Sequence, residues 1–251
     1  MDKKIVIDKD KCIHCGLCLK DCVAGCLEFD DEKFPKYRIN GKEDCFGCQH
    51  CLAICPMGAL TFGDKNPENS EQINYGNSDD LLSLIKSRRS IRYYKNEDIP
   101  PEKISKIIEM LPFVPTGRNV DCLHFSIVET KEKMDEIRSI TDKKGYDSNF
   151  IFRNATGLIA VSVDKSKAAQ SCDTIDPVIA LSYIDLYAQS LDIGTLWCGL
   201  AYDAALNTPE FYSMLRIPEE YTLNFVMLLG IPDVKYQRTI QPEQCSVSII
   251  K

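Results

Sequence analysis

Cys12-Ile13-His14-Cys15-Gly16-Leu17-Cys18-Leu19-Lys20-Asp21-Cys22 is answered further on by Cys45-Phe46-Gly47-Cys48-Gln49-His50-Cys51-Leu52-Ala53-Ile54-Cys55-Pro56. Both stretches space their cysteines C-x-x-C-x-x-C-x-x-x-C, and together they hold eight of the thirteen cysteines in the 251-residue chain. Three thiolates on one tight loop can wrap one face of a small inorganic body, while the fourth points away toward its neighbour. Zinc also uses C-x-x-C pairs, but it takes four thiolates as two pairs per ion, which this triple spacing does not supply.

The spacing resembles that of bacterial two-cluster ferredoxins. That resemblance implies that Cys12, Cys15, Cys18 and Cys55 hold one 4Fe-4S cluster, and that Cys45, Cys48, Cys51 and Cys22 hold the other. Such ferredoxins usually carry proline after both fourth cysteines; here Pro56 follows Cys55, but Val23 follows Cys22. His14 and His50 lie inside the loops, where filled thiolate positions leave them supporting or solvent-facing roles. Between the runs, residues 34–39 and the turn-like Asn40-Gly41 predict a small hairpin.

Composition agrees with metal ligation. The N-terminus meets Asp8 and Lys9 before any apolar run of signal-peptide length, so the chain is expected in the cytoplasm, where thiols stay reduced. No stretch approaches the ~20 apolar residues of a membrane span. Net charge is −7: nine basic against ten acidic residues up to Gly63, and 21 against 27 beyond it. Neither part is built for nucleic acid. Cys26, Cys122, Cys172 and Cys245 match no ligand spacing and receive no role.

The expected organisation is a cluster domain at 1–63, a linker at 64–78 rich in Gly, Asn, Glu and Ser, and a second domain at 79–251. In the second domain Ser78 is expected to cap a helix whose first turn carries Asp79 and Asp80. Amphipathic periodicity predicts helices over 101–111 and 130–140, and strands are predicted at 125–128, 158–163, 194–198 and 223–229. Residues 178–191 are apolar nearly all round and predict a helix buried in a core or a subunit interface. The fold class is α+β.

Four motifs follow in one order: Arg88-Arg89-Ser90-Ile91-Arg92, Pro115-Thr116-Gly117-Arg118-Asn119, Gly194-Thr195-Leu196-Trp197-Cys198-Gly199, and Gly230-Ile231-Pro232 leading to Arg238. The order resembles the FMN-dependent nitroreductase family, over about 79–238. The resemblance implies an α+β sandwich with a central buried helix and an FMN between the subunits of a homodimer. Arg88, Arg89, Ser90, Arg92 and Arg238 supply donors suited to the flavin phosphate. Pro115, Thr116 and Gly117 then lie against the ring and Asn119 meets its polar edge, with Asp121 standing where relatives often have Gln. Trp197, Cys198 and Gly199 back the flavin, with a backbone N–H near Gly199 facing N5. For Cys198 the small-hydrophobe reading is favoured over a redox thiol, and core packing competes for Trp197 and His124.

No G-x-G-x-x-G follows a predicted strand, so a nicotinamide would stack directly on the flavin. The functional expectation is an oxidoreductase in which two clusters relay electrons to or from FMN, which reduces a nitroaromatic or quinone-like acceptor. The donor is reduced ferredoxin or NAD(P)H, and no catalytic side chain is nominated. Two alternatives stand beside it: an electron-carrier or redox-sensing module serving a protein partner, and reductive dehalogenation.

Overall fold

The computed structural model describes residues 2–250. The chain divides into two compact units, residues 2–75 with Arg118–Val120, and Gly76–Gly117 with 121–250.

In the first unit β1 (Ile5–Ile7) opens the chain, α1 (Leu17–Lys20) ends the first cysteine loop, and β2 (Leu27–Phe29) pairs with β3 (Pro35–Tyr37). Then come α2 (Gly41–Asp44), α3 (His50–Ala53) in the second loop, and β4 (Leu60–Phe62), which returns antiparallel to β1 with Ile5 opposite Phe62. The two cysteine runs share one backbone. Left-handed residues recur in matched pairs: His14 and Gly47 (φ 55° and 69°), Gly16 and Gln49 (φ 73° and 59°), Gly25 and Gly58 (both φ 57°). Each such residue reverses the local turn, so successive cysteines come round to one side instead of spiralling away. The predicted hairpin exists, but its turn lies elsewhere. Asp30 accepts the Phe34 N–H at 2.8 Å and Lys33 takes the left-handed place, whereas Asn40 (φ 61°) opens α2. Among the described residues Leu52, Leu60 and Phe62 form the buried apolar cluster here, with Cys18, Cys45 and Cys51 packed on it.

The second unit begins with α4 (Ser78–Ser87) and α5 (Pro101–Met110), then β5 (Leu123–Val128), α6 (Lys131–Lys143), α7 (Ser148–Phe152) and β6 (Gly157–Val163). It continues through α8 (Ile175–Ser190), β7 (Gly194–Trp197), α9 (Gly199–Asn207), α10 (Pro209–Met214) and β8 (Thr222–Gly230). The strands form one antiparallel sheet in the order β5-β6-β8-β7. Alternation along β6 and β8 serves two cores. Leu158, Ala160, Val226 and Leu228 meet side chains of α6, α7, α9 and α10, while Ile159, Val161, Met227 and Leu229 meet α5 and α8. β6 is therefore buried on both faces, which explains its unbroken apolar run.

One helix expectation needs correction. Asn77, not Ser78, caps α4, its side chain accepting the Asp79 N–H at 2.8 Å; Ser78 is already helical. α8 buries Ala180, Leu181, Ile184 and Ala188 but leaves Ile175, Val178 and Tyr183 about half exposed, so its apolar circumference is only partly used within one chain. Among the described residues no helix is long and apolar enough to cross a membrane.

Candidate functional site

The cysteine loops of the first unit wall two cavities. Cys12, Cys15 and Cys18 share one with Cys55, and Cys45, Cys48 and Cys51 share the other with Cys22. The crossing follows from the chain: after two cysteines each loop enters a short helix that holds the third, and the residues just beyond that helix carry the fourth thiol to the other repeat. Among the described residues no three Cys, His, Asp or Glu side chains gather at single-ion spacing. Each set of four thiols thus surrounds a space rather than a point, which fits a body whose corners each take one thiolate.

Burial pushes the Cys51 thiol up to about 12 and raises Cys18 too. Metal binding there must displace protons that an empty cavity would retain. Backbone N–H groups already point at ligand sulfurs: Cys26 to Cys22 at 3.3 Å, Gly47 to Cys45 at 3.4 Å, and Ala59 to Cys55 at 3.2 Å. His14 sits 2.9 Å from the Lys33 carbonyl with its ring against Phe34, and His50 pairs with Asp21 at 3.2 Å. Both histidines have partners other than a cavity guest.

In the second unit the arginine run is strapped along the sheet. Ser90 bridges Thr195 in parallel, Ile91 N–H bonds the Thr195 carbonyl at 2.9 Å, and Lys95 N–H bonds the Ile231 carbonyl at 2.8 Å. Two glycines permit this approach. A Cβ on Gly194 would lie 2.8 Å from Ile91, and one on Gly230 would lie 2.6 Å from the Tyr94 ring.

Beneath the strap lies a buried polar network that the sequence reading missed. The Asp185 carboxylate accepts from Trp197 Nε1 at 3.2 Å, from Gln189 at 3.1 Å and from the Thr195 hydroxyl, and it pairs with Arg88 at 3.5 Å. Gln189 also brackets the Arg89 backbone, accepting its N–H at 3.1 Å and donating to its carbonyl at 2.9 Å. A signal was present: Asp185 and Gln189 stand four residues apart, hence on one face of an otherwise apolar helix. Asp176, at the start of the same helix, accepts the Gly117 N–H with both oxygens at 3.0 and 3.1 Å. It thereby fixes the middle of the Pro115–Asn119 motif.

The structure brings Arg88, Arg89, Ser90, Trp197, Cys198 and Gly199 to one end of this sheet. Two details suit a phosphate-bearing guest: the buried Arg89 Nη2 has no protein partner, and a Cβ on Gly199 would meet open space. Arg92 is exposed and bonds only the Ser90 carbonyl, at 3.3 Å. Arg238 stands exposed in the irregular stretch after β8. Arg118 and Asn119 take left-handed conformations (both φ 56°) and group with the first unit, while Pro115, Thr116 and Gly117 stay with the second. Cys198 caps α9, accepting the Ala201 N–H at 3.4 Å, and burial raises its thiol. It behaves as a small buried cap. Trp197 packs 5.7 Å from Phe225. Burial likewise holds the Cys122 thiol up at about 11.

Residues 5–62 match the 4Fe-4S dicluster domain, and residues 85–145 match the nitroreductase family. A protein of Archaeoglobus fulgidus provisionally named NADH dehydrogenase/NAD(P)H nitroreductase is 28% identical over 156 residues, 61% of this chain and 86% of its own. The iodotyrosine deiodinase of Hydra vulgaris is 29% identical over 75 residues, 30% of this chain and 28% of its own. Among solved structures, a Desulfitobacterium hafniense nitroreductase with bound FMN superposes with a TM-score of 0.56 at 25% identity, covering 72% of this chain and all of that one. The chain thus has an α+β fold in which a segment matching the 4Fe-4S dicluster domain precedes one matching the nitroreductase family.

Proposed function

We propose that this chain is an iron–sulfur flavoprotein in which two 4Fe-4S clusters exchange electrons with an FMN that reduces a nitroaromatic or quinone-like acceptor. The observation that carries the reading is the pair of matched cavities, each walled by three cysteines of one run and one of the other. Cys12, Cys15, Cys18 and Cys55 hold one cluster, and Cys22, Cys45, Cys48 and Cys51 the other, within a cluster domain at 1–63 that a linker joins to a flavin domain at 79–251. Held there, the clusters would supply one-electron transfer and the flavin two-electron chemistry toward the acceptor.

The residues of the second unit bind and orient. Arg88, Arg89, Ser90 and Arg92 take the phosphate, a role supported by the unpartnered Arg89 Nη2. Pro115, Thr116, Gly117 and Asn119 line the ring, and Trp197, Cys198 and Gly199 stand behind it, where the open space at Gly199 lets a flat guest approach the backbone. Asp185 keeps Arg88 and Trp197 in register with each other. The site is completed in a homodimer, to which the exposed side of α8 and Arg238 contribute. No side chain acts as acid or base. Reduced ferredoxin or NAD(P)H is the donor, in a reducing cytoplasm.

Anaerobic stopped-flow measurement on the reduced holoprotein tests this. Flavin reoxidation accelerated by nitrobenzene or menadione is expected, and indifference to both, with acceleration only by a partner protein, would contradict it. The Hydra vulgaris match supports a second reading, reductive removal of halide from an aromatic. Halide release from an iodophenol in the same assay would single it out.

A further inference from the structure

We infer that Cys26 is a reserve ligand of the second cavity, a fifth thiol able to take the place of Cys22; this rests on that cavity being a 4Fe-4S site. Cys26 is 1% exposed and lines the same cavity as Cys22, Cys45, Cys48 and Cys51. Its N–H reaches the Cys22 sulfur at 3.3 Å. Cys122, Cys172, Cys198 and Cys245 line neither cavity.

The internal repeat supplies the comparison. Ala59 occupies in the first cavity the position that Cys26 occupies in the second, four residues after the lent cysteine and just beyond a matched left-handed glycine (Gly58 and Gly25, φ 57°). Its N–H meets the Cys55 sulfur at 3.2 Å, as that of Cys26 meets Cys22. One turn thus aims two different side chains at equivalent places, and only the first repeat puts a thiol there. In the exchange the iron–sulfur bond to Cys22 breaks and one to Cys26 forms. The Cys26 proton passes to the Cys22 sulfur, which lines the same cavity, and no electron changes hands. When Cys22 is absent, that proton goes to solvent.

The test is anaerobic purification of the full chain with iron and sulfide quantified per chain, alongside the electron paramagnetic resonance of dithionite-reduced protein. Cys22→Ala is expected to keep wild-type iron, and Cys22→Ala/Cys26→Ala to hold half as much. Cys55→Ala is expected to lose half its iron, and adding Ala59→Cys to restore it. Equal iron in Cys22→Ala and the double variant overturns the inference. If Cys22→Ala does not accumulate folded, failure of Ala59→Cys to restore iron to Cys55→Ala overturns it instead. A wild-type chain without iron and sulfide removes the cluster reading itself, which these variants separate from failure of the reserve.

Discussion

Gly194 and Gly230 face each other across β7 and β8, and both are glycine because the strap crosses directly over them. Gly194→Val places new carbon within 2.8 Å of Ile91, which is buried at 5% exposure and has nowhere to retreat. The expected cost is about 1–3 kcal/mol of overpacking, read as a lower urea midpoint at unchanged slope. Gly199→Ala is the informative contrast, since its Cβ meets nothing within 4 Å. Stability of the flavin-free chain should be unchanged while FMN binds more weakly; a stability loss matching that of Gly194→Val would contradict the open cradle. These residues also show why the sites were unequally legible. The eight cysteines declare themselves because ligand spacing along a tight loop is local. Asp185 does not, because its partners Arg88, Thr195 and Trp197 arrive from two other segments and none of the three forms a spacing with it.

At the scale of elements, strands β5 to β8 and helices α5, α6 and α8 lie close to where the sequence pattern puts them, whereas α7, α9 and α10 were not read from it. What periodicity could not supply was the turn chemistry. Asn40-Gly41 reads as a hairpin turn yet opens a helix, since the hairpin closes earlier through Asp30. Asn77 outcompetes Ser78 as a cap because the helix begins one residue sooner. A similar local device ends β6. Asp164 accepts from the Ser166 hydroxyl at 2.7 Å and pairs with Lys167 at 2.9 Å, which holds its carboxyl down at about 2 from an ordinary 3.8. A depressed folded-state value means that this turn's contribution is complete above the unfolded value and fades as pH falls through the folded one. Wild type should therefore exceed Asp164→Asn in stability above about pH 4 and converge with it toward pH 2. Acid titration of thermal stability in both proteins checks this, and a constant gap down to pH 2 would refute it.

Across the whole molecule, the two units depend on different forces. The second has two apolar cores, one on each face of a four-stranded sheet. Among the described residues the first has one small apolar cluster of Leu52, Leu60 and Phe62 and four short strands, too little core for so short a segment without a metal staple. Oxidative bleaching with a chelator is therefore expected to remove hydrogen-exchange protection up to about residue 62, where β4 ends, and to leave that of β6 and β8 intact. Uniform loss across both units would show that they share one stability. The claim on which the account stands is that eight thiolates close around two cubanes in a chain that also carries a flavin. Anaerobic purification with iron, sulfide, zinc and FMN quantified per chain measures it directly. The account predicts about eight iron, about eight sulfide and about one FMN; colourless protein holding zinc and no sulfide would contradict it.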